Sequence, residues 1–371
     1  MGQFAQSLQQ DGLTEDLGAY IGGLAEQERR FSNRRLARSV SISAAHAELS
    51  RVLFKKVAEQ FFNNKLTPTG YATKPQRKDL KRTVVLGLSD LHLGANLDEK
   101  GNPLPYRAIE EARRLEYVMR QALDYKPQYR ENSRLFVLLN GDIIDGMLQH
   151  DQRAGLPLVE QKAVFWHYFR SMMGYFSQQY PEVHVYCQPG NHGRDIARHP
   201  GRATSDKWDG HEWECYYALQ QMCVGLPNVK FDLQFRAITA VDLYGKKLLV
   251  SHGDTEPRFF APDTGSTQNQ ATMATVNASR LYGCEFDAAF IGHFHQGRYQ
   301  PRHCRLVFNA ALVPPNGHAR ASNYIGEPCG QMLWEAVEGH IVGDLRFIEV
   351  GAAQDKDERL GQLLTPFRFP D

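Results

Sequence analysis

The chain has 371 residues, 42% hydrophobic and 23% charged, the balance of a globular protein rather than of a disordered or fibrous one. No run approaches the roughly 18 consecutive apolar residues of a membrane span. The start MGQFAQSLQQDGLTED has neither the basic flank nor the apolar core of a secretion signal, so a cytoplasmic location with no membrane contact is expected. Six scattered cysteines, with no C-x-x-C spacing, argue against both a thiolate zinc site and a disulfide framework and read as reduced packing thiols. The net charge of +1 conceals an asymmetry: residues 1–82 carry 14 Lys and Arg against 8 Asp and Glu, and the remainder carries 29 against 34.

Residues 1–64 are expected to form a small helical domain. Leu36, Val40, Leu49, Val52, Leu53 and Val57 recur near helical spacing. FSNRRLARSV, SIS and AAHAELSRVLFKKVAEQF, with Ser43 as N-cap of the last, have the layout of a helix-turn-helix. A helical hairpin that docks on the core, or pairs two chains into a homodimer, fits the same pattern. Residues 65–82 read as a basic linker. From residue 83 to 350 the texture is that of a larger α/β domain. TVVLGLSD, RLFVLLNGD, VHVYCQPGNH, KKLLVSHGD and AAFIGHFH are short buried strands ending in Gly-punctuated polar clusters. AIEEARRLEYVMRQALDY and LVEQKAVFWHYFRSMMGYF are the helices between the first three. RLVFNAAL, GQMLWEAV and GDLRFIEV are expected as a second, more antiparallel sheet, and residues 351–371 as a polar tail.

The strand ends carry the chemistry. In order they present Asp90 and His92, Asp142 and Asp145, Asn191 and His192, His252, then His293 and His295. Residues i and i+2 of extended chain point the same way, so each D-x-H or H-x-H pair can face one site. Carboxyl ends of neighbouring strands in an α/β sheet share a crevice. Carboxylate, imidazole and amide oxygen without thiolate suit manganese, iron or zinc. The donors exceed what one tetrahedral ion takes, so two ions are implied, able to clamp a phosphate between them.

The series Asp90-Leu91-His92, Gly141-Asp142-Ile143-Ile144-Asp145, Gly190-Asn191-His192, His252 and Gly292-His293-Phe294-His295 resembles that of the calcineurin-like metallophosphoesterases. The resemblance implies a four-layer αββα sandwich. It also implies one metal held by Asp90, His92, Asp142 and His295, and a second held by Asp142, Asn191, His252 and His293, with a bridging hydroxide attacking phosphorus in line. His192 would then stabilise the transition state or protonate the leaving oxygen, with Asp145 orienting it. Gly193 departs from many relatives, in which an acid follows the G-N-H block. Arg194, Arg198 and Arg202 are candidate phosphate contacts.

For the substrate, several features point to DNA. From Arg29 to Arg82 all 14 cations stand beside three acids, Glu48, Glu59 and Asp79. The stretch after G-N-H mixes Arg198, His199, Arg202 and Lys207 with Trp208 and Trp213, which suits a charged, stacked polymer, or alternatively a lid whose aromatics only pack. G-H-x-H beside S-H-G-D is similar to SbcD-type nucleases, and the whole layout resembles phage and prophage metallophosphoesterases. Gly146 stands where the Ser/Thr phosphatase pattern has arginine, and no apolar insertion suits a lipid-linked pyrophosphate. The expectation is a two-metal DNA nuclease; no residue pattern names an ATPase partner. The alternatives are an esterase for a small nucleotide or phosphoprotein and, disfavoured by seven filled ligand positions, a non-catalytic DNA-binding subunit.

Overall fold

The computed structural model describes residues 79–95, 108–146, 156–194, 210–233, 238–254, 276–280, 282–301, 304–314, 328–351 and 357–368. The expected helical N-terminal domain, nearly all of the basic linker, and Arg198, Arg202 and Trp208 lie outside them.

The first sheet is built on β1 (Arg82–Leu88), β2 (Ser133–Asn140), β3 (Val183–Gln188) and β4 (Val229–Asp232), parallel and in that spatial order. β1 and β2 are buried along almost their whole length, which is why they read as apolar runs rather than alternating strands. On the other side of β1 lies an antiparallel pair, β10 (Gly330–Val337) and β11 (His340–Glu349). The second sheet has the order β5 (Thr239–Leu243), β6 (Lys246–Ser251), β7 (Ala288–Ile291), β9 (Arg305–Phe308) and β8 (Arg298–Gln300). In it β6, β7 and β9 run parallel and the two edge strands antiparallel.

One expectation is corrected here. The last three strands do not make a sheet of their own: β9 belongs to the second sheet, and β10–β11 extend the first. The five strands that carry the polar clusters divide between the two sheets, β1, β2 and β3 in the first and β6 and β7 in the second. The reason is the apolar core. Val85, Phe136, Leu138, Met332 and Trp334 face Val241, Leu248, Val250, Phe290 and Val307 between the sheets. Burying side chains of this size contributes roughly 1.5–3 kcal/mol each. The sheets approach closely enough that a Cβ on Gly87 would overlap the Phe290 ring.

Helices cover the outer face of the first sheet. α1 (Ala108–Leu123) turns Ala112, Leu115, Val118, Met119 and Ala122 inward, has Glu110 and Glu111 in its first turn, and is laced by Glu110–Arg114 and Glu116–Arg120 pairs. α2 (Leu158–Gln179) is buried on most of its surface. α3 (His211–Met222), which the sequence reading had not singled out, packs on α2, where Trp166 Nε1 donates to the Cys215 carbonyl at 3.1 Å. Across the second sheet, Ala278, Phe286 and Phe294 pack on Leu249, Ile291 and Phe308, so a helical stretch at 276–280 forms the fourth layer. The αββα order is therefore present. No disulfide joins the six cysteines, and no described helix is long and apolar enough to cross a membrane.

Residues 357–368, expected as a polar tail, lie strapped across α1 and α2. The fully buried Glu116 carboxylate accepts the backbone N–H groups of Gly361 (2.9 Å), Leu363 (3.2 Å) and Leu364 (2.9 Å), and Leu360 and Leu364 are buried beneath. Phe367 N donates to the Tyr168 hydroxyl. Truncating Glu116 leaves three N–H groups without their acceptor and Arg120 with only the Arg359 carbonyl. Glu116→Ala is expected to lower unfolding free energy by roughly 3 kcal/mol, read from urea titration, and to make the C-terminal segment the earliest site of proteolytic cutting.

Candidate functional site

β1, β2 and β3 are parallel, so their carboxyl ends lie on one edge of the first sheet, and those of β6 and β7 share an edge of the second. Hydrogen bonds tie the two edges together. Asn140 Nδ2 donates to the Ser251 carbonyl and His252 Nδ1 to the Asn140 carbonyl, both at 2.8 Å, and His293 N donates to both Asp90 oxygens at 2.9 and 3.1 Å. The loops after β1 and β2 continue side by side: Asp90 N, His92 N and Leu93 N donate to the carbonyls of Gly141, Asp142 and Ile143, each at 3.0 Å.

The alternation of extended chain is not what aims the paired residues. Asp90, His92, Asp142, His293 and His295 all have positive φ, between 46° and 68°. That region is uncommon for residues other than glycine and is held only where surroundings over-determine it. The loops are left-handed turns, which bring residues i and i+2 together by curling rather than by pleating. Gly190 permits a close approach, since a Cβ there would overlap the Asp142 carboxylate.

The side chains form two adjoining donor clusters. In the first, His92 Nε2 lies 3.2 Å from His295 Nε2, which is 3.4 Å from Asp90 Oδ1. In the second, His252 Nε2 lies 3.0 Å from Asp142 Oδ2 and 3.2 Å from Asn191 Oδ1, with His293 beside it. Within each His/Asp triad, Asp90–His92–His295 and Asp142–His252–His293, the ligand atoms all lie within 4.8 Å of one another. All seven residues expected as metal ligands thus lie along the two joined sheet edges, Asp90, His92 and His295 in one cluster and Asp142, Asn191, His252 and His293 in the other.

The electrostatics fit a cation site. Burial alone would raise the Asp142 carboxyl, but the charges of His252 and His192 outweigh it and hold it well below the ordinary range. Asp90 is likewise lowered, burial being overcome by His295 and His252. Burial would depress His252, yet Asp142 and Asp90 raise it to about 10. Its Nδ1–H is committed to the Asn140 carbonyl, so the proton on Nε2 sits among carboxylate and amide oxygens where a metal would otherwise go. His293 is pushed down to about 4, by burial and by the charge of His252, and His92 is lowered by burial and His192. Neutral imidazoles and ionised carboxylates are the forms that bind divalent ions.

His192 and Asp145 adjoin the first cluster. The backbone carbonyl of Asp145, not its carboxylate, takes the His192 Nδ1–H at 2.8 Å. The Asp145 carboxylate lies 3.5 Å from His92 Nδ1 and 3.9 Å from His192 Nδ1, so it faces both rings. Arg194, a candidate phosphate contact, has its Nη2 on Asp254 Oδ2 at 2.6 Å in an ion pair with both side chains about 95% buried. That pair joins the loop after β3 to the loop after β6.

Other contributors were missed. Ser89 Oγ donates to Asp90 Oδ2, and Gln331 on β10 holds Ser89 by accepting its N–H and donating to its carbonyl. Glu212 on α3 is buried and accepts the N–H groups of Ile143 at 2.6 Å and Gly190 at 2.5 Å. Burial and the Asp142 charge raise it to about 7. The one signal in the sequence was indirect: Gly193 stands where the resemblance implies an acid.

The calcineurin-like phosphoesterase family model matches residues 83–310, more than half of the chain. The chain belongs to this family. As a calcineurin-like phosphoesterase it is a metal-dependent hydrolase of phosphoesters. Solved structures similar to this phosphoesterase include a predicted phosphoesterase from Streptococcus pneumoniae, 11% identical over 72% of this chain and 98% of that one, with a TM-score of 0.29. Zinc-complexed Vps29 from Entamoeba histolytica is 12% identical over 72% and 98%, TM-score 0.29. The phosphopantetheinyl hydrolase of Mycobacterium tuberculosis is 13% identical over 62% and 91%, TM-score 0.28. No curated protein matches the phosphoesterase by sequence.

The raised His252 value sets a pH dependence for the metal-stripped protein. A histidine with a folded value near 10 and an ordinary value of 6.5 adds stability that is complete below pH 6.5 and lost as pH rises toward 10. The urea midpoint of chelator-treated protein should therefore fall between pH 7 and 10. Asp142→Asn should flatten that slope, and an unchanged slope in the variant would contradict the pairing.

Proposed function

We propose that the chain is a two-metal phosphodiesterase that cleaves DNA. The observation that carries the two-metal reading is the pair of adjoining clusters, Asp90–His92–His295 and Asp142–Asn191–His252–His293, tied together where the His293 N–H meets the Asp90 carboxylate. Two divalent ions in such a centre, manganese foremost with iron or zinc as alternatives, would neutralise phosphate oxygens and activate water for in-line attack. The residues would supply the rest. Asp90 and Asp142 stay ionised, and His92, His252 and His293 serve as neutral ligands. The His192 ring, fixed by its Nδ1–H on the Asp145 carbonyl, is oriented with Nε2 3.9 Å from Asp142 Oδ2. Protonated at Nε2, it would donate to the leaving oxygen as the bond to phosphorus breaks. The Asp145 carboxylate, facing both His92 and His192, would help hold the two rings in place.

The DNA assignment is supported by the concentration of cations between Arg29 and Arg82 and by the cation and aromatic mixture from Arg198 to Trp213. The N-terminal segment, residues 1–64, would dock the nucleic acid or pair two chains. Arg198 and Arg202 would meet the phosphate backbone; Arg194, engaged with Asp254, would instead order the loop that carries Asn191 and His192. A phosphatase acting on a small nucleotide or phosphoprotein uses the same centre.

The test is purified full-length protein with manganese, given single-stranded DNA, duplex DNA, and chromogenic mono- and bis-esters of phosphate. Asp142→Ala should abolish all cleavage. His192→Ala should lower kcat by roughly 10²–10⁴-fold, least for esters with the most acidic leaving groups. Manganese-dependent DNA cutting lost in Asp142→Ala supports the nuclease; small esters cleaved with both DNAs intact would overturn it in favour of the nucleotide or phosphoprotein reading.

A further inference from the structure

We propose that Glu212 is the positioning residue of the centre, its carboxylate on α3 fixing the loops that carry Asp142 and Asn191. The proposal rests on the reading that Asp142 and Asn191 hold metal. One Glu212 oxygen accepts the N–H of Ile143, the residue after Asp142, and the other accepts the N–H of Gly190, the residue before Asn191. A single rigid group thus fixes the spacing of the loops after β2 and β3. Those loops meet where Asp142 Oδ1 accepts the His192 N–H at 2.8 Å.

The place Glu212 occupies is the place a side chain at 193 would fill. A Cβ built on Gly193 would overlap Glu212 Cγ and come within 3.1 Å of its carboxyl carbon. The φ of Gly193 lies outside the left-handed region, so the backbone there accepts a side chain, and the atom that a Cβ would overlap is Cγ of the Glu212 side chain. The connection between α3 and the block is short in space, because His211 N donates to the Gly193 carbonyl at 2.7 Å. A buried carboxylate set beside Asp142 carries a desolvation and repulsion cost, and the two N–H groups it receives are what holds it there. Glu212 touches no substrate; it acts through Asp142, Asn191 and His192.

This arrangement predicts a reciprocal rescue. In full-length protein, Glu212→Ala, Glu212→Gln, Gly193→Glu, the double variant Glu212→Ala/Gly193→Glu, and Asp142→Ala are compared with wild type. Manganese affinity of the stripped protein is measured by calorimetry, kcat and KM on a chromogenic phosphate bis-ester, and folding by circular dichroism. Glu212→Ala and Glu212→Gln should each weaken manganese binding and lower kcat by about 10–100-fold, the scale for groups that orient metal ligands, with KM within about twofold. Gly193→Glu alone should lose activity through its clash. The double variant, whose new glutamate reaches the emptied space with its carboxyl two bonds from Cβ, should recover at least about tenfold over Glu212→Ala. Wild-type manganese affinity and kcat in a folded Glu212→Gln protein would overturn the proposal, as would a folded double variant no better than Glu212→Ala. If Glu212→Ala does not fold, Glu212→Gln, of nearly equal volume, carries the decision. Manganese binding that survives in Asp142→Ala would show that the reading of the centre has failed, and the proposal with it.

Discussion

The structure turns on the Asp142 carboxylate and its contact with His252. Asp142 follows β2 of the first sheet and His252 follows β6 of the second, and their 3.0 Å approach brings opposite charges together at a point shielded from water. An isolated carboxylate there would be expelled or protonated. With the imidazole opposite it, and with the His192 backbone N–H on its other oxygen, it stays charged. The rest of the cleft follows from keeping that group in place: glycine at 190 so that the neighbouring loop can lie against it, Glu212 beneath, and Asn140 fastening the two sheet edges a few ångströms away.

Much of this could be read from residues alone, because it is local. Each donor follows a run of buried apolar residues, and the order D-x-H, G-D-x-x-D, G-N-H, H, G-H-x-H survives whatever the loops do between blocks. The strands and the first two helices of the core were legible for the same reason: Leu115, Val118 and Ala122 on α1, or Val84 to Leu88 on β1, declare their period within a few residues. What escaped was set by tertiary contact. Nothing in GQMLWEAV says that Trp334 must meet Phe290 from the far side of β1, so its sheet was misassigned. Nothing near Leu364 announces Glu116, some 250 residues earlier. Glu212 lies 20 residues beyond the block it serves, on a helix whose buried stripe begins with that carboxylate and continues through Cys215 and Tyr216, so it lacks the apolar contrast that flags a helix. The positive φ angles were hidden too, since aspartate and histidine there are chosen for chemistry against their backbone preference.

The two halves of the functional reading stand on different footing for a physical reason. Hydrolysis of a phosphoester needs a small, desolvated, sharply defined set of groups, and such a set is written in short motifs. Choice of substrate depends on broad surface: charge spread over tens of residues, aromatic side chains on loops, and a separate N-terminal segment. A shared centre serves phosphoesters of many sizes, so the cleft specifies the reaction and leaves selectivity to what surrounds it.

The five left-handed donors have a further consequence. Each holds a torsion that costs of order 1–3 kcal/mol and that only the assembled sandwich enforces. The chain therefore meets the expense of shaping its cleft once, as it folds, and not again at each encounter with a ligand. Groups already aimed need little reorganisation when charge develops between them. The same tension means that these loops are poor in intrinsic stability, and that a variant relaxing any one of them would gain firmness as a protein while losing the shape it exists to hold.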